Sequence, residues 1–98
     1  MSPNEPAMNQ ADDNKTAMQF PCAFPIKAMG RAKDTMADTV LEIVQRHAPE
    51  ADARALKTQP SSNGKFVSVT VTIDAQSREQ LDAIYLDLND SDQVLMTL

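Results

Sequence analysis

A chain of 98 residues suffices for one domain at most, with roughly 60–65% of its unfolded surface available for burial in a single modest core. Its 14 acidic residues against 9 basic ones give a net charge of −5, which disfavours bulk attraction to phosphate backbones or anionic lipid. The one cysteine, Cys22, cannot close an internal disulfide, the N-terminus has neither the basic start nor the apolar run of a signal peptide, and no stretch approaches membrane-spanning length. A cytoplasmic protein with no nucleic-acid or membrane partner is the expectation.

Residues 1–19 hold Pro3, Pro6 and scattered Asn, Gln, Asp and Lys, with no periodic apolar face to offset ordering entropy. They read as a disordered tail preceding a folded domain over residues 20–98, or as a segment that folds on a partner. Phe24 to Met29 reads as a short strand, Ile26 and Ala28 on one face, Lys27 and Met29 on the other. Pro21 and Pro25 cannot donate to a ladder and are expected before it or at its first residue. Gly30 to Lys33 then leads into a helix capped by Asp34 or Thr35, Thr35 standing in capping-box spacing with Asp38. Met36, Val40, Ile43 and Val44 form its apolar stripe, and Pro49 stops it just after His47.

Ala51 to Thr58 is read as a strand on the strength of its C-terminal neighbour. Asn63-Gly64 marks a hairpin turn before a second run, and a hairpin needs an antiparallel partner. Arg54, Leu56 and Thr58 would share one face, with Pro60 near the loop end of an edge strand. Lys65 to Ala75 carries the clearest period in the chain: Val67, Val69, Val71 and Ile73 alternate with Ser68, Thr70 and Thr72. Ser77 with Gln80 forms a capping box, and Leu81, Ile84, Tyr85 and Leu88 repeat at helical spacing. After a polar turn, Asn89 to Asp92, the alternation of Val94, Met96 and Leu98 predicts a last strand.

Strand, helix, strand, strand, helix, strand in roughly 80 residues predicts an α+β, ferredoxin-like two-layer sandwich with an antiparallel sheet and both helices on one face. The spatial order would be fourth, first, third, second, placing the Lys65-to-Ala75 strand beside the first strand and parallel to it. Its valine face should meet Met36, Val40, Val44, Leu81, Ile84 and Leu88, while Ser68, Thr70 and Thr72 line the open face.

This fold hosts many functions, so spacing has to test each site. A copper-carrying version needs two thiols in the loop after the first strand, and Gly30-Arg31-Ala32-Lys33 has none. An RNA-binding version needs rings on the open face. Gly64-Lys65-Phe66-Val67 echoes such a motif, but Ser68 and Thr70 occupy the further positions. An acylphosphatase-like anion loop would have Arg31 but lacks its glycines. Arg31 and Lys33 flank a helix start, where an anion competes with the cap for free N–H groups, and solvated loop charges are the plainer reading. His47 suits a helix end, without a thiol, a second histidine or a triad for company. Cys22 reads as a packed or idle thiol. Asp87, Asn89 and Ser91 imitate the start of a calcium loop, but Asp92 holds the glycine position and Leu98 the bidentate glutamate position, so an acidic turn and no metal is expected. No cofactor signature is present.

Three runs carry a resemblance: Phe24-Pro25-Ile26-Lys27-Ala28-Met29-Gly30, then Val44-Gln45-Arg46-His47-Ala48-Pro49, then Pro60-Ser61-Ser62-Asn63-Gly64-Lys65-Phe66 with Ser68 to Ile73 after it. From Phe20 to Leu98 the chain resembles the YbeD-like family of small bacterial proteins, with a longer N-terminal tail than its typical members. The resemblance implies an ACT-like ferredoxin fold, similar to regulatory domains of amino-acid metabolism. It brings no established biochemical activity with it, and only gene neighbourhood links the family to lipoate metabolism.

Two functions remain open. One is a regulatory, metabolite-sensing or interaction domain without catalysis, forming a homodimer or taking a protein partner through the edge strand Val94 to Leu98 or the open sheet face. By fold analogy Gly30, Arg31 and Lys33 would then be its ligand-site candidates. The alternative is an enzyme that brings Arg31, His47 or Cys22 together in one pocket. Arg31 and His47 are expected at opposite ends of the first helix.

Overall fold

The computed structural model describes residues 19–98, so the expected tail lies outside the described residues but for Gln19. Strand β1 (Cys22–Arg31) leads to helix α1 (Met36–His47), a turn of 3-10 helix (Ala53–Ala55), β2 (Leu56–Pro60), β3 (Phe66–Ala75), helix α2 (Arg78–Asn89) and β4 (Val94–Thr97). The four strands form one sheet in the order β2-β3-β1-β4, as the β-α-β-β-α-β succession requires. Every neighbouring pair is antiparallel, β1 with β3 included. The parallel β1–β3 pairing expected from the sequence is therefore wrong. Crossing over α1 leaves β2 running with β1, and the β2–β3 hairpin then reverses the chain.

The alternation of β3 decides the layers. Val69, Val71 and Ile73 are buried against Met36, Val40, Ile43 and Val44 of α1 and Leu81, Ile84 and Leu88 of α2, with Ile26 and Ala28 of β1 completing the core. Val67, nearest the hairpin, is only half-buried. On the other face lie Ser68, Thr70 and Thr72 with Lys27 and Met29.

The strand expected over Ala51 to Thr58 begins later. The Asp52 side chain accepts the N–H of Arg54 at 2.9 Å, which caps a 3-10 turn and takes Arg54 out of the sheet. Strand β2 starts at Leu56 and includes Pro60, paired with Val67 of β3. The turn after it is held by Ser61 and Asn63, whose side chains accept the N–H groups of Phe66 and Lys65, and Gly64 takes a φ of +73° that suits glycine.

Strand β1 is longer than predicted at both ends, so Pro25 lies inside it, opposite Thr72. Its neighbour explains why the sheet tolerates it. Strand β4 reaches no further along β1 than Lys27, whose carbonyl accepts the N–H of Leu98 at 3.0 Å. Two residues earlier, the Pro25 nitrogen points to the same outer side, where no strand pairs and no donor is required. The intervening N–H of Lys27 faces the same side, toward the Tyr85 hydroxyl of α2.

Neither helix start adopts the predicted box in full. Thr35 is αR, and its hydroxyl donates to Gln93 Oε1 at 2.8 Å instead of capping α1. Gln93 in turn donates to Thr39 Oγ1 at 2.8 Å, tying the start of β4 to the first turn of α1. At α2 the Ser77 hydroxyl accepts the Gln80 N–H as predicted, but the Gln80 side chain accepts from Gln76 N and not from Ser77. Its amide nitrogen also donates to the carbonyl of His47 at 2.8 Å, joining the C-terminus of α1 to the N-terminus of α2.

Candidate functional site

The residues singled out from sequence are dispersed. Gly30 is buried on the helix side of β1, where a Cβ would fall on the carbonyl oxygen of Gln93 and 2.8 Å from the Met36 sulfur. Its lack of a side chain serves a close approach of backbone. Arg31 and Lys33 are exposed and border a hollow of about 190 Å³ that they share with Asp92, Gln93 and Leu95. Neither forms a salt bridge among the described residues. The acid in the same hollow makes its charge mixed.

His47 ends α1, with the length of that helix between it and Arg31. Its Nε2 lies 2.6 Å from Asp87 Oδ2, and with the bond from Gln80 to its carbonyl it is held along α2 at two points. Gln80 and Asp87, two turns apart, share a face of α2, which makes His47 a pin between the helices. Cys22 opens β1, half-buried against the core and unbonded to sulfur. The supposed calcium-loop residues have separate tasks. Asp87 sits inside α2 with His47, Asn89 accepts from Thr97 Oγ1, and Ser91 accepts the Gln93 N–H. Among the described residues no three His, Cys, Asp or Glu side chains gather as a metal site would need.

The open face of the sheet brings residues together in rows that strand registry alone creates. Thr70 is paired with Lys27 of β1 on one side and Lys57 of β2 on the other, so two lysines about 10 Å apart flank one half-buried threonine. Beyond Lys27, Leu98 ends the row. In the next row Gln59, Ser68, Met29 and Met96 succeed one another from β2 to β4. A third row starts where Phe66 faces Arg31. Hollows of about 450 and 380 Å³ lie over the first two rows and share Gln59 and Ser68, making one shallow trough. Three of the exposed large apolar residues, Leu95, Met96 and Leu98, lie at or beside β4, the uncharged edge of the sheet.

Sequence periodicity separates Lys27 and Met29 from the core, and so finds part of this face. It misses the Lys57–Thr70–Lys27 row, because that row depends on the register of three strands and on where β2 begins.

Comparison with known proteins gives this arrangement a family. Residues 15–98 match the family described as Protein of unknown function (DUF493). The chain belongs to that family. A UPF0250 protein of Azotobacter vinelandii is 45% identical over 92 residues, 93% of this chain and 100% of the relative. One from Ectopseudomonas mendocina is equally similar, 45% over 92 residues with the same coverage, and one from Neisseria gonorrhoeae is 40% identical over 87 residues, 88% of this chain and 96% of the relative. These bear out the resemblance to the YbeD-like group. Among solved structures, the solution structure of protein HP0495 from H. pylori superposes with a TM-score of 0.68 at 22% identity, covering 92% of this chain and 94% of that one. At that identity the likeness speaks for the small α+β fold alone. Among the described residues of this family member, no helix is long and apolar enough to cross a membrane.

Proposed function

We propose that this protein is a regulatory or interaction domain without catalytic activity, and that its working surface is the open sheet face with the adjoining β4 edge. One observation carries the reading: Leu95, Met96 and Leu98 are each about half exposed or more, and they gather along one edge strand that has no charged side chain. A free edge of that kind is a template for pairing unless something covers it. The groups an enzyme would draw on are apart, Arg31 before α1 and His47 at its end. A small metabolite held near Arg31 and Lys33, as in ACT-like regulatory domains, is the form of regulation that fold analogy favours.

Light scattering at micromolar concentration on the wild type and on a Leu95→Lys, Met96→Lys variant checks the docking surface, alongside a thermal-shift panel of amino acids and lipoate. Self-association that the variant loses, or a melting shift from a panel compound, supports the reading. A strict monomer that no compound shifts removes it.

A further inference from the structure

We infer that the open sheet face receives an extended acidic segment of a partner protein, its carboxylates over the Lys57–Thr70–Lys27 row and its apolar side chains against Met29, Met96 and Leu98. This rests on the docking reading above and adds the chemistry of the partner.

Charge is the first argument. On a chain of net charge −5, the open face presents Lys27 and Lys57 with one acid, Asp74, further along the sheet, while Arg31 shares its hollow with Asp92. Acids collect instead on the helical layer, with Asp38 and Glu42 on α1 and Glu79, Asp82 and Asp87 on α2. Neither Lys27 nor Lys57 is in a salt bridge among the described residues, and the Thr70 hydroxyl between them has no side-chain hydrogen bond there. Two cations and a hydroxyl donor within one row match the oxygens of a carboxylate.

Shape decides the size of the occupant. A small-molecule site encloses most of its ligand, whereas this trough is shallow and open along its length. Its occupant must therefore bring its own cover, as a chain laid across the rows does, with alternate side chains on Lys57, Lys27 and the apolar residues beside them. Nucleic acid fits less well. Among the described residues Phe66 is the one ring on this face, where bases need several to stack on.

Fluorescence anisotropy with a labelled peptide alternating glutamate and leucine tests the assignment, against a glutamine–leucine peptide and a mixed-sequence single-stranded RNA. The full chain is expected to bind the acidic peptide, more weakly as salt rises. A Lys27→Gln, Lys57→Gln variant, checked for native circular dichroism, is expected to lose about tenfold or more in affinity and most of the salt dependence. Absence of binding, equal binding of the glutamine peptide, tighter binding of RNA, or an unchanged double variant overturns the inference. These outcomes are separable from failure of the docking reading: if Leu95→Lys with Met96→Lys abolishes self-association while the lysine pair proves irrelevant to the peptide, the surface stands and its acidic partner falls.

Discussion

Gly30 shows how a glycine in a ligand-loop position can answer to packing. It lies where β1 closes on the β4 approach, and the carbonyl of Gln93 occupies the place a Cβ would take, with the Met36 sulfur beside it. The oxygen is backbone and fixed by the Gln93 tie to α1, so it has little room to give. Gly30→Ala is expected to destabilise the fold by about 1–3 kcal/mol through overpacking, read as a lowered urea midpoint at unchanged m-value. An effect too small to move the midpoint, with ligand binding altered instead, would return Gly30 to the candidate site. Thr35 makes the same point about caps. Its spacing to Asp38 is right for a box, yet its hydroxyl is spent on Gln93, 58 positions along the chain and beyond anything local spacing reveals.

At the scale of elements, one polar side chain ties the ends of the two helices that share the core. Gln80 accepts from Gln76 N and donates to His47 O, while the His47 ring meets Asp87 two turns further on. Gln80→Ala removes a partner from each of two backbone groups, and a loss of about 1–2 kcal/mol is expected, only slightly offset by the better helix propensity of alanine. Urea titration checks the size, and hydrogen exchange should show faster opening at Ala48 and Gln76. An unchanged midpoint would mean that apolar contacts alone fix the helices. The element misread from sequence, Ala51 to Thr58, fails for a local reason. Asp52 is available as a cap, and its bond to Arg54 wins Ala53 to Ala55 for a 3-10 turn before the strand begins.

For the whole molecule, the layers were legible in the sequence because burial tracks period: β3 alternates, α1 and α2 carry stripes, and the buried set matches them. Relative strand direction was legible too, from the crossover and the Asn63-Gly64 hairpin, and the parallel expectation for β1 and β3 failed because it did not count the reversal that the hairpin makes. The docking face was half legible, Lys27 being visible as an outward residue and its alignment with Thr70 and Lys57 being a product of assembly. Global stability should also show how α2 is fixed to the sheet. Burial raises the pKa of Tyr85 above its ordinary 10.0, with the Lys27 N–H pulling weakly the other way. The neutral phenol is thus favoured in the folded state, and its contribution is complete below pH 10 and declines as pH rises from there through the raised folded value. Urea midpoints across that window should fall more steeply for the wild type than for Tyr85→Phe; parallel curves would contradict the sign.

The proline in β1 has a consequence for anything that docks beside it. Strand β4 covers only the later half of β1, and past Lys27 the exposed flank offers a nitrogen without hydrogen at Pro25. The boundary of the sheet is a stair and not a rail. A strand arriving at β4 finds 4 residues to pair with and then a closed step, so it cannot slide toward the start of β1. The fold thereby limits an incoming chain to a narrow choice of alignments, and limits its own tendency to grow into a ribbon.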